Sequence, residues 1–105
     1  VAVAIGGLAG AYFGGELGKS LDKADRAYMR RNTQDGLEYS KTGTTTSWKN
    51  PDSGNSGTIT PKQTYRKADG QHCREFEQTV YVDGREEAAT GRACREPDGT
   101  WKIVG

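Results

Sequence analysis

The spacing of apolar positions divides the chain into three stretches. Residues 1–15, VAVAIGGLAGAYFGG, carry no charge, and Gly6, Gly10, Gly14 and Gly18 recur every four residues. Gly7, Ala11 and Gly15 form a second row of small residues beside them. On a helix such rows make a smooth face where another helix backbone approaches closely, the small-xxx-small pattern of membrane helices. Ile5, Leu8, Tyr12, Phe13 and Leu17 fall elsewhere on the wheel, toward acyl chains in that reading. In water the same stretch makes a poor helix, because each glycine costs about 0.8–1.0 kcal/mol relative to alanine. The pattern therefore predicts a glycine-zipper membrane segment over residues 1–18 that packs against copies of itself. Fifteen helical residues reach roughly 22 Å, short of the ~30 Å hydrocarbon core, so residues upstream of Val1 are expected. The alternative is a glycine-rich leader or the remnant of a signal sequence.

Residues 19–42 follow with no obvious break. Leu17, Leu21, Ala24 and Tyr28 fall on one stripe, with basic and acidic residues interleaved, which predicts a charged amphipathic helix continuing from the zipper. Glu16–Lys19 and Asp22–Arg26 are spaced to pair, whereas Lys19–Lys23 repel. Lys19, Lys23, Arg26, Arg30 and Arg31 sit where a helix leaving a bilayer meets lipid head groups, each worth on the order of 1 kcal/mol near an anionic surface. An ordinary solvated helix face accounts for them equally well. Asp35-Gly36 marks an interruption.

From Gly43 the period changes to that of a small antiparallel sheet. Candidate strands are Thr44–Trp48, Gly57–Arg66, Gln71–Val82, Glu86–Arg95 and Thr100–Val104, separated by NPDSGNSG, KADG, VDGR and EPDG. The Asp-Gly pairs at 69–70, 83–84 and 98–99 suit hairpin turns that need positive φ. Phe76, Val80 and Val82 alternate toward a core completed by Trp48, Tyr65, Trp101, Ile103 and Tyr81. The expected organisation is α+β: the membrane segment (1–18), the amphipathic helix and linker (19–42) and a five-stranded β domain (43–105).

Composition narrows the function classes. The 105 residues allow one small core, which rules out a cleft between domains. Fifteen Lys+Arg against fourteen Asp+Glu leave a formal charge of +1, and no segment is basic enough for a nucleic-acid arm. The two cysteines, Cys73 and Cys94, lie on strands joined through Asp83-Gly84, and a hairpin centred there sets them opposite each other. A disulfide is expected, with reduced core thiols or a metal site as alternatives. His72, the sole histidine, is too little to complete a metal site with them. It neighbours Cys73, yet adjacent strand residues point to opposite faces, which disfavours a Cys–His nucleophile. Glu75 with Glu77, and Glu86 with Glu87, read as solvent-facing carboxylates on a hydrophilic sheet. No catalytic residue, metal or cofactor is expected.

The stretch WKNPDSGNSGTITPKQTYRKADGQHCREFEQTV, followed by GRACREPDGTWKIV, resembles the carboxy-terminal domain of the rickettsial 17 kDa surface antigen family. The resemblance runs from about Trp48 to Val104, carrying Trp-x-Asn-Pro, Thr-Pro-x-x-Thr-Tyr, Cys-Arg-x-Phe, Ala-Cys-Arg and Asp-Gly-x-Trp in order. Gly6 to Gly18 resembles the family's glycine zipper, and LDKADRA its following helix. The resemblance implies a bacterial outer-membrane lipoprotein, with a signal peptide and lipidated cysteine upstream of what this sequence contains.

Together these readings predict a structural, non-enzymatic envelope protein. It would oligomerise through the zipper, contact membrane lipids and other envelope proteins, and hold its β domain in the periplasm or at the cell surface. The competing expectation is a tethered hydrolase inhibitor or ligand-binding module that works through the 50–57 loop.

Overall fold

A computed structural model describes residues 16–104. Two helices, α1 (Glu16–Lys19) and α2 (Lys23–Tyr39), precede five strands: β1 (Thr46–Lys49), β2 (Ser56–Arg66), β3 (His72–Val82), β4 (Arg85–Arg95) and β5 (Trp101–Ile103). The strands form one sheet in chain order, every neighbouring pair antiparallel, so each connection is a hairpin. The turn chemistry is specific. Asp83 and Gly84 both adopt positive φ (52° and 75°), the two-residue turn that matches strand twist. At the other two Asp-Gly pairs only Gly70 and Gly99 do so, closing slightly longer loops.

Alternation along β3 assigns the two faces. Phe76, Gln78, Val80 and Val82 are buried beneath α2, whereas Glu75, Glu77 and Tyr81 on the other face are exposed. Two apolar clusters fill the helix side. One joins Leu17, Leu21, Met29, Trp48, Val80, Val82 and Ala89; the other joins Leu37, Ile59, Phe76, Ala93, Trp101 and Ile103. Of the aromatic residues expected in the core, Tyr65 is only half-buried and Tyr81 is exposed, because both lie on the helix-free face.

The long glycine-zipper helix running on into a charged helix is overturned. α1 has four residues and closes in a turn, with Ser20 N donating to Leu17 O at 3.0 Å. α2 then starts afresh at Asp22, which accepts from Asp25 N (2.7 Å) while its own N–H donates to the Asp25 carboxylate (3.0 Å). This capping box satisfies amides that open a helix, so it creates an end where a continuous helix has none. Leu17 and Leu21, assigned to a membrane helix and its continuation, are buried in the core. Gly18 lies within the short α1, where its carbonyl accepts from Arg26 Nη2 at 2.9 Å, rather than on a zipper row. Gly6, Gly7, Gly10, Gly14 and Gly15 lie outside the described residues. No helix among the described residues is long and apolar enough to cross a membrane.

Restarting the helix also moves its buried stripe. Asp25, Met29, Thr33, Gly36 and Leu37 face the sheet, whereas Ala24 and Tyr28 of the expected stripe are exposed. A second constraint sits at Gly57, where a Cβ would come 2.5 Å from Trp48 Nε1 and 2.6 Å from Thr79 O. The Trp48 indole and the Thr79 carbonyl together leave no room for a methyl group. Gly57→Ala is expected to cost about 1–3 kcal/mol, read as a lowered denaturation midpoint at unchanged slope.

Candidate functional site

The most heavily bonded side chain outside the sheet is Asp25, 1% exposed. Its carboxylate accepts four hydrogen bonds, from Asp22 N, Asn50 Nδ2, Ser53 Oγ and Asn55 Nδ2, at 2.6 to 3.0 Å. Burial alone would raise its pKa. The bonds from Ser53, Asn55, the Asp22 backbone and Asn50 together outweigh burial and hold it below the ordinary value of 3.8. The β1–β2 loop is thus wrapped on a buried anion, with Asn50 N bonded to Asn55 O (2.9 Å) and Gly54 N to Asn50 O (2.8 Å). That clasp makes the 50–57 segment an ordered loop, with residues 51–54 exposed at its tip.

A buried cation closes the other end of α2. Arg74, 7% exposed, donates from Nη1 to Leu37 O (2.7 Å) and from Nε to Thr64 Oγ1 (2.9 Å). The last carbonyls of a helix carry partial negative charge, so the guanidinium serves as their cap. Burial lowers its pKa from the usual arginine value. Beside it, Glu38 accepts from Arg95 Nε (2.8 Å) and Trp101 Nε1 (2.9 Å), which hold its carboxyl below the ordinary range. Gln34 binds the backbone of Trp101 on both sides, accepting from its N–H at 2.7 Å and donating to its carbonyl at 2.9 Å.

The helix-free face carries the cysteines. Cys73 and Cys94 are directly opposite in the β3–β4 register, joined by a disulfide with Cα atoms 4.0 Å apart. Both are buried, flanked in register by Tyr65 on β2 and Lys102 on β5. The rest of this face is mainly polar, with Ser47, Thr58, Thr79 and Ala88 in one row across four strands. Glu75 and Glu77 stand exposed on it. His72 is also exposed, 3.3 Å from Arg66 Nη2, and no group of three or more metal-ligating side chains occurs among the described residues.

Of the five cations assigned to lipid head groups, Lys19, Lys23, Arg30 and Arg31 are exposed. Arg26 is half-buried and ties the helices together through Gly18 O and, from Nε, Leu21 O at 3.3 Å. Arg31 also lines a groove of about 600 Å³ between α2 and the outer edge of β1. Tyr28 (43% exposed) and Tyr39 (80%) flank that groove. The sequence offered little sign of the groove, of the Asp25 clasp or of Gln34, because all three arise where α2 meets residues distant in the chain.

A one-sided five-stranded sheet cross-linked between adjacent strands defines a small disulfide-linked β domain. The model of the 17 kDa outer membrane surface antigen family matches residues 35–102, and the chain belongs to that family. The 17 kDa surface antigen of Rickettsia felis is 46% identical over 84 residues, covering 80% of this chain and 53% of that protein. That of Rickettsia bellii is 45% identical over 89 residues (85% and 56%), and that of Rickettsia prowazekii 45% over 83 residues (79% and 52%). The chain spans about half the length of the curated relatives it matches. No solved structure matches it. The relatives are named as surface antigens, an outer-membrane or surface family rather than a known family of enzymes.

Proposed function

We propose that this chain is a non-catalytic assembly domain of the bacterial outer membrane, which holds other envelope proteins, or copies of itself, by docking them on its sheet. The carrying observation is the asymmetry of the sheet. One face is filled by α2 and the two apolar clusters, while no described element covers the other, which carries mainly polar side chains across the strands. An uncovered sheet face of polar side chains suits broad contact with another protein better than enclosure of a small substrate. The disulfide at one end of that face keeps it in shape outside the reducing cytoplasm. Exposed Lys19, Lys23 and Arg30 add an electrostatic contact to anionic lipid head groups.

The test is photo-cross-linking in intact cells from a benzophenone amino acid placed at Thr79, Ala88 or Tyr28, in the full-length protein. Discrete adducts with envelope proteins or with a second copy are the expected result. Monomer at all three positions, with the protein folded and at the envelope, would refute the assembly role.

A further inference from the structure

The two edges of the sheet are treated differently. On β5, Glu96 N donates to Thr100 O and Val104 N to Arg92 O, so the backbone of Trp101 and Ile103 points outward, away from β4. Gln34 takes both outward groups of Trp101, leaving Ile103 alone on that strand, too little for a ladder. On β1 the bonded pair Asn50–Asn55 fixes the alternation, so the N–H and C=O of Ser47 and Lys49 point away from β2. No described residue bonds them. Beside them runs the α2–β1 groove, where two of the four exposed large apolar side chains among the described residues, Tyr28 and Tyr39, are gathered.

We infer that this groove is a strand-addition site, where an extended acidic segment of a partner protein pairs with the β1 edge through Ser47 and Lys49. The inference rests on the assembly reading above and names the docking chemistry. Backbone groups two residues apart along an edge are matched in spacing by another extended backbone, and alternate side chains of such a segment turn toward the helix. There Tyr28 and Tyr39 receive apolar residues. The partner's charge follows from Arg31 on the helix side and Lys49 on the strand, both groove-lining and neither in an ion pair with a described residue. Asp35 is the one carboxylate in the lining. A second copy paired through the same edge would bring Arg31 and Lys49 toward their own counterparts, so like charge disfavours self-pairing.

The probe is a displayed library of random linear peptides selected against the 105-residue chain, with the recovered peptides synthesised and titrated into isotope-labelled protein. Recovered peptides are expected to be acidic with interspersed apolar residues and to protect the Ser47 and Lys49 amides from exchange. Ser47→Pro removes one outward donor, a change that edge strands tolerate, and is expected to weaken binding about tenfold. Arg31→Glu, on the exposed helix face, is expected to turn the preference from acidic to basic peptides while leaving the melting temperature unchanged. Failure to recover binders, or binders indifferent to both variants, would overturn the proposal. So would a dimer in sedimentation that Ser47→Pro dissociates, since the occupant would then be a second copy. If cellular cross-links from Tyr28 persist in Ser47→Pro and Arg31→Glu, strand addition fails and the assembly role stands; without cross-links in the parent protein, the assembly role itself fails.

Discussion

Replacing Asp25 with alanine is expected to lower stability by roughly 3–5 kcal/mol, because one truncation strands four donors. The Asn50, Ser53 and Asn55 side chains and the Asp22 amide all converge on its carboxylate, and Asp25, Asn50 and Asn55 are themselves buried. Asp25→Asn keeps the volume but sets an amide donor against donors already in place, so it should recover little. The effect carries a pH signature. The native pKa lies below its ordinary value of 3.8, so the unfolded chain takes up the proton first as pH falls. The stabilisation is therefore complete above 3.8 and is lost as pH drops through the native value. Denaturant titrations of wild type and Asp25→Asn, run from neutral pH to well below 3.8, should show a gap that narrows in acid. A constant gap would mean that the carboxylate's charge contributes nothing.

The second large effect is expected from the disulfide. Its cysteines are 21 residues apart in sequence, and a loop of that size restricts the unfolded chain by about 3 kcal/mol in the chain-entropy model. For a domain of this length that corresponds to a fall of roughly 10–20 °C in melting temperature. Cys73→Ala with Cys94→Ala, compared with wild type under reducing and non-reducing conditions, isolates the bond. Wild type should melt near the variant only when reduced. Equal melting of oxidised wild type and variant would show that the sheet holds its register unaided, which the ten paired positions between β3 and β4 would then have to explain.

How much could be read in advance varied with the distance over which each feature is decided. The strands were legible to within one or two residues, because turn formers punctuate them and alternation between turns has one solution. The Cys73–Cys94 pairing was legible for the same reason: the Asp83-Gly84 turn fixes the hairpin register, and register fixes which residues face each other. The helix was misread at its start. Asp22 has the spacing of an ion-pair partner for Arg26, and its capping role shows only in its bonds to Asp25. Asp25 was missed because a carboxylate breaks an apolar stripe on paper. Here it completes one, since the β1–β2 loop brings three neutral donors to it.

Taken alone, the sequence determined the antiparallel meander, the turns, the disulfide and the family, all of which rest on residues close in the chain or joined by a single hairpin. Tertiary structure decided where the helix begins, which of its faces is buried, and that Leu17 and Leu21 belong to the sheet's core. It also decided that Gln34 covers one sheet edge, while the other, which no described residue bonds, runs beside two tyrosines. The physical reason is that periodicity reports which side chains leave water, but not what they meet once they have left.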